Sequence, residues 1–134
     1  MEKMSQHSII IFVCEHGAAK SIIAAAYFNK LAGEMGLDLK AIARGTNPDH
    51  ELSPNTVKGL MEDGLHPIEL APQKLLPLDV ESAQKIITFC ELPEEYRLAA
   101  EVEQWDGIPP VSENYKTARD AIVEHLNRLM AEIN

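Results

Sequence analysis

Cysteine is scarce in this chain, positive charge is outnumbered and long apolar runs are missing, and each scarcity removes a class of protein. Two cysteines, Cys14 and Cys90, in 134 residues make neither a disulfide scaffold nor a metal cluster. Both thiols are therefore expected to be reduced, and neither a metal nor a cofactor is expected. Twelve Lys and Arg stand against twenty-one Asp and Glu, for a formal charge of −9, and the basic residues are scattered along the chain. A nucleic-acid or anionic-membrane partner would need a basic patch that such a sequence does not concentrate. No apolar run approaches the ~20 residues of a membrane span, and MEKMSQHS lacks the apolar segment of a signal peptide, so a cytoplasmic protein is expected. Internal repeats and low-complexity tracts are also absent. What remains is an apolar content of 46%, ordinary for a globular protein, in a length that suits one domain over residues 1–134.

The most informative stretch runs from Ser8 to Ser21, SIIIFVCEHGAAKS. Ile9 to Val13 is β-branched and too short for an independent helix, which reads as a strand buried on both faces of a parallel sheet. From Ser21 the positions Ile22, Ile23, Ala26, Tyr27 and Leu31 recur at helical spacing, so Cys14 to Lys20 must turn the backbone from strand to helix. Such a loop aims several N–H groups and the positive end of a helix dipole at one spot, which makes an anion site with Cys14 at its centre. The dipole, the amides and the Lys20 ammonium would stabilise a thiolate there, and Ser21 can donate a hydrogen bond to the sulfur. Gly17 permits a left-handed backbone, while Ala18 and Ala19 keep the walls thin. The residue types leave open the plainer reading, in which Cys14 is a small buried hydrophobe in an ordinary turn.

Cys14, five residues, then Lys20 and Ser21 resembles the C-x5-R-S phosphate loop of the low-molecular-weight protein tyrosine phosphatases and of the thiol-dependent arsenate reductases that share their fold. CEHGAAKS is most similar to the reductase version, through His16 and Ala19. ARGT, Ala43 to Thr46, resembles the family's second strand and S-A-G-T turn, and LSPNTVKGLMEDGL, Leu52 to Leu65, resembles its N-P-x-A-V-x-x-M-x-E-x-G-I helix. Two positions depart from the pattern. The loop arginine is Lys20, and the W-x-x-x-D-P segment that carries the family's general acid reads WDGIPP, with Pro109 where the aspartate belongs.

The resemblance implies a Cys14 thiolate nucleophile, an oxyanion cradle from Glu15, His16, Gly17, Ala18, Ala19, Lys20 and Ser21, and a proton from Asp106, the only acid in that turn, or from water. His16 could also hand over a proton from inside the loop. Cys90 resembles the first resolving cysteine of the thioredoxin-coupled reductases; the third is missing, with Arg97 near where it would fall. The implied ligand is phosphate, arsenate or another tetrahedral oxyanion, carried on a phosphorylated small molecule or protein, with a thiol reductant if the chemistry is redox. A site that binds such a ligand without turnover, like a pseudophosphatase, is the alternative.

Along the rest of the chain, Met1 to His7 is expected to fray, and a helix is expected from Ser21 to Met35, stopped by Gly36. The alternation in Leu37 to Ala43 predicts a second strand, and Ser53-Pro54 opens a helix that Gly64 closes after Asp63. His66 to Pro77 is irregular, Asp79 to Gln84 is a helical turn, and Lys85 to Phe89 is a third strand ending at Cys90 as the first ends at Cys14. Ala100 to Gln104 reads as a short fourth strand, and Asn114 to Ile133 as a long amphipathic helix. Strands alternating with helices predict an α/β three-layer sandwich, a four-stranded parallel sheet with helices on both faces.

Overall fold

Four strands, β1 (Ile9–Cys14), β2 (Lys40–Gly45), β3 (Ala83–Thr88) and β4 (Val102–Gln104), form one parallel sheet in the order β2-β1-β3-β4. This arrangement belongs to a computed structural model that describes residues 8–133; the expected frayed start, Met1 to His7, lies outside the described residues. The central place of β1 follows from its composition, since a strand with neighbours on both sides and helices on both faces must be apolar throughout. Ile10, Ile11, Phe12 and Val13 are each at most 1% exposed. Alternate side chains enter different cores: Ile10 and Phe12 pack with α1 (Lys20–Met35) and α5 (Tyr115–Ile133), whereas Ile11 and Val13 join Leu75, Val80 and Leu92. The second core is covered by two short helices, α3 (Pro77–Ser82) and α4 (Glu94–Ala99), so the sheet carries helices on both faces as expected. On the first face, α2 (Pro54–Glu62) completes the layer through Leu60.

Element boundaries shift where a cap or a tertiary pairing overrides the local pattern. Leu37 and Leu39 alternate like a strand, yet the Leu37 N–H returns to the Ala32 carbonyl and closes α1 through Gly36, so β2 begins only at Lys40. It then runs past Ala43 to Gly45, because Gly45 pairs with Cys14 and bridges to Lys74. The third helix starts at Pro77 rather than Asp79, since Asp79 itself caps it by accepting from the Leu76 N–H at 2.9 Å. That leaves Ala83 and Gln84 to extend β3 backwards. Ser53 caps α2 as read, with Pro54 in the first turn. The whole of α4 falls between Cys90 and Ala100, where no element is read from the sequence, and none of its residues is fully buried, so no apolar stripe announces it. Pro93 before it and Glu94 and Glu95 in its first turn are the start signals it does carry.

The stretch from His66 to Pro77 lies along the exposed edge of β2. Arg44 binds both Glu69 and Asp79, and Glu69 also accepts from the Ala43 N–H, which covers an edge that would otherwise offer unpaired backbone.

Candidate active site at the end of the first strand

Between β1 and α1 the chain makes a tight loop, Glu15 to Ala19, whose shape depends on two glycines. Gly17 sits at φ 63°, and it touches Gly45 so closely that a Cβ on Gly45 would lie 2.8 Å from the Gly17 nitrogen. The carbonyls of Cys14, Glu15, His16 and Ala18 accept from backbone donors on the segment after β2, Thr46, Asn47, Asp49 and Ser53 in turn, at 2.7–3.2 Å. Among the described residues, the N–H groups of Glu15 to Ala19 have no main-chain acceptor. Ala19 caps α1 without a side-chain hydrogen bond, and the first turn of α1 holds no acid. Unmet N–H groups beside a bare helix N-terminus form a local field that favours an anion.

Cys14 lies at the floor of this field, 9% exposed, with its Sγ 3.1 Å from the Oγ of fully buried Ser21. It opens into a cleft of about 350 Å³. Of the residues expected to build the site, Cys14, Glu15, His16, Ala18, Ala19, Lys20 and Cys90 line that cleft. Gly17 acts through loop shape and Ser21 from beneath the sulfur. The Lys20 ammonium has no hydrogen-bond or ion-pair partner among the described residues and remains available to a ligand.

Asp106 is not among the lining residues. It is exposed, and its carboxylate accepts from Gln104 Nε2 at 3.0 Å. The cause is the anchoring of its neighbour. Trp105 is buried against Phe12, Phe89 and His125, with ring centroids 4.9–5.9 Å away, and its Nε1 donates to Glu103. Glu103 is held as a carboxylate, its proton affinity lowered by the Lys85 hydrogen bond against the opposing effect of burial. Ile108 and Val111 are buried further along, so this loop presents Val111 and Ser112 to the cleft.

Sequence reasoning missed Asp49, Ser53, Phe89, Val111 and Ser112 as cleft residues. Asp49 stands in the polar stretch Gly45 to Glu51, and nothing in the local sequence ties it to the loop. In the structure its Oδ1 lies 3.1 Å from His16 Nδ1, while its N–H donates to the His16 carbonyl at 3.0 Å.

Cys90 follows β3, which is the sheet neighbour of β1; the Phe89 N–H donates to the Val13 carbonyl at 2.8 Å. Both cysteines are free thiols. Burial pushes the Cys90 thiol up, and the charges of Cys14 and Glu15 do the same against hydrogen bonds from Thr88 and Thr46. Among the described residues no cluster of His, Cys, Asp and Glu is arranged to hold a metal ion, and no helix is long and apolar enough to cross a membrane.

The sequence model of the family described as low molecular weight phosphotyrosine protein phosphatase matches residues 9–134. Among solved structures, a mutant of YwlE from Bacillus subtilis superposes with a TM-score of 0.80 at 22% identity, over 93% of this chain and 97% of that one. An arsenate reductase from Archaeoglobus fulgidus gives 0.73 at 24% identity, over 91% and 98%. A low molecular weight protein tyrosine phosphatase from T. tengcongensis gives 0.80 at 16% identity, over 92% and 98%. No curated protein sequence matches. At these identities the structural likenesses speak to the fold, the same four-stranded parallel α/β sandwich.

Proposed function

The chain belongs to the low molecular weight phosphotyrosine protein phosphatase family, and from that premise we propose that its cleft hydrolyses phosphate monoesters through a Cys14 thiolate. The observation that supports this reading is the set of N–H groups from Glu15 to Ala19 without a main-chain acceptor among the described residues, in the loop that lines one cleft with Cys14. A tetrahedral oxyanion, phosphate or arsenate, fits a site of that polarity, supplied on a small molecule or a protein. The thiolate attacks phosphorus, the amides and Lys20 hold the charge on the non-bridging oxygens, and the Ser21 hydroxyl stabilises the sulfur when it leaves. An ammonium in place of a guanidinium keeps the charge but loses a bidentate grip worth ~1.5–3 kcal/mol, about tenfold to a hundredfold in rate.

The test is turnover of an aryl phosphate by the wild-type protein and by Cys14→Ser, together with iodoacetamide labelling of Cys14 in the presence and absence of phosphate. Turnover that vanishes in Cys14→Ser, and labelling that phosphate suppresses, support the reading. Binding of phosphate without turnover would make this a pseudophosphatase, and labelling indifferent to phosphate would remove the oxyanion site altogether.

A second reading, arsenate reduction, is favoured by one observation: Cys90 lines the same cleft, on the strand next to β1. Cys14 would form an S–As bond with loss of water, and Cys90 would then attack the Cys14 sulfur. Arsenite would leave with the electron pair of that bond, the two cysteines would be oxidised to a disulfide, and an external dithiol would restore them. Arsenate-dependent consumption of dithiol that stops in Cys90→Ser, with aryl phosphatase activity spared, would select this chemistry.

A further inference from the structure

Hydrolysis of a phosphate ester whose leaving oxygen is basic requires a proton at that oxygen, and the cleft holds few groups able to give one. Asp106 lies outside it, and the part of its loop that reaches the cleft, Val111 and Ser112, has no ionisable side chain. Cys14 is the nucleophile and Lys20 the fixed charge. The other ionisable side chains lining the cleft are Glu15, His16, Asp49 and Cys90. Burial pushes the Cys90 thiol up, and Glu15, its side chain 62% exposed against 56% for His16, meets only the His16 ring, at 4.0 Å.

His16 and Asp49 are the two that are held in mutual orientation. The Asp49 N–H donates to the His16 carbonyl at 3.0 Å, and the Asp49 carboxylate lies at ion-pair distance, Oδ1 3.1 Å from His16 Nδ1. The second ring nitrogen, Nε2, lies 4.0 Å from Glu15 Oε1, at ion-pair rather than hydrogen-bond distance. A cleft-lining histidine with a carboxylate 3.1 Å from one ring nitrogen is in a setting that general acid–base catalysis uses. We propose that His16 is the proton donor to the leaving group, taking the place of the aspartate that Pro109 has replaced, and that Asp49 is its positioning residue. This rests on the phosphatase reading above and adds the group that completes it.

In the first step the S–P bond forms, the P–O bond to the leaving group breaks, and the leaving oxygen takes its electron pair and the proton from His16 Nε2. In the second step a water oxygen bonds to phosphorus, the S–P bond breaks with its electron pair returning to Cys14, and the water proton passes to the neutral His16. Asp49, with its carboxylate 3.1 Å from Nδ1, positions the ring, and Nε2 is the nitrogen that changes protonation. Glu15 on the same loop, Lys20 on α1, and Cys14 and Cys90 at the strand ends are the other charged or titratable groups around this chemistry.

The test compares kcat for phenyl phosphate and for 2,4-dinitrophenyl phosphate, whose leaving group departs without a proton. His16→Gln should lose ~10²–10⁴-fold on phenyl phosphate and less than about tenfold on the dinitrophenyl ester. The latter activity also reports that the variant is folded. The fall of kcat with rising pH on phenyl phosphate should disappear in His16→Gln, and Asp49→Asn should show a smaller loss with the same dependence on the leaving group. Equal losses on both esters in His16→Gln, or the selective loss appearing in Asp106→Asn instead, would overturn the assignment while leaving the phosphatase reading intact. Failure of the wild-type protein to turn over either ester would overturn both.

Discussion

Two places in this molecule gather charge under partial cover, and they treat it in opposite ways. Around Asp63, at the C-cap of α2, every charge is answered within the protein. Its carboxylate accepts from Tyr27 Oη at 2.6 Å, from Tyr115 Oη at 2.8 Å and from Arg119 Nη1 at 2.9 and 3.0 Å. Those partners come from α1 and α5, so the cluster clamps three helices on one face of the sheet. At the other place, the Cys14 loop, N–H groups and an ammonium are gathered that have no partner among the described residues. A satisfied cluster stabilises the fold and has nothing to offer a ligand, whereas an unsatisfied one costs stability and can repay it only by binding. Substitutions in the two places should accordingly be read by different instruments.

The largest expected effect is at the clamp. Asp63→Ala leaves Arg119 and two tyrosine hydroxyls without their common acceptor, which should cost about 3 kcal/mol in urea unfolding. Turnover by the fraction that stays folded should be little changed. A loss of activity out of proportion to the loss of folded protein would show that the clamp also shapes the cleft, and would weaken the contrast. Next in size, Lys20→Ala should weaken phosphate binding by ~1–3 kcal/mol, read by titration calorimetry, while leaving the urea midpoint in place. Lys20→Arg should retain binding. Unchanged affinity in Lys20→Ala would mean that the ammonium takes no part in the cradle.

The clamp should also be visible as pH dependence, with a direction set by its members. Burial alone would push the Asp63 carboxyl up, but the hydrogen bonds from Tyr27, Tyr115 and Arg119 outweigh it and hold the group below its ordinary value. Its contribution is therefore present above the unfolded value of about 3.9 and lost as pH falls through the lower folded value. Tyr27 behaves in the opposite sense: burial, then the Asp63 hydrogen bond and charge, push its hydroxyl up to about 12. Stability from Tyr27 is complete below pH ~10 and lost as pH rises toward the folded value. A series of urea midpoints should show that alkaline loss reduced in Tyr27→Phe and the acid loss reduced in Asp63→Asn. The smallest effect is a control on backbone cost alone. A Cβ on Gly33, inside α1, meets nothing within 4 Å, so Gly33→Ala should raise stability by ~0.5–1 kcal/mol without touching turnover.

Legibility in the sequence followed the distance over which each feature is built. The helix that starts at Lys20 and the strand that ends at Cys14 are contiguous, and both were evident from spacing. Boundaries drifted at Leu37 and Asp79, where capping residues carried a pattern that alternation and composition did not reveal. The helix Glu94–Ala99 was lost because only Tyr96 is even half-buried along it, so hydrophobic periodicity had no signal to give.

The sequence by itself determined which residues share the loop, because Cys14, Gly17, Lys20 and Ser21 fall within a single strand–loop–helix passage where chain connectivity does the positioning. Only the tertiary structure decided what surrounds them. Asp49 meets His16 because β2 lies beside β1 and delivers the following segment to the loop carbonyls. Cys90 reaches the cleft because β3 takes the other side of β1, and Asp106 is turned away because Trp105 sinks into the core beneath it. Each of these depends on which strands become neighbours and which side chain fills the core, and those are properties of the packed sheet rather than of any short stretch of chain.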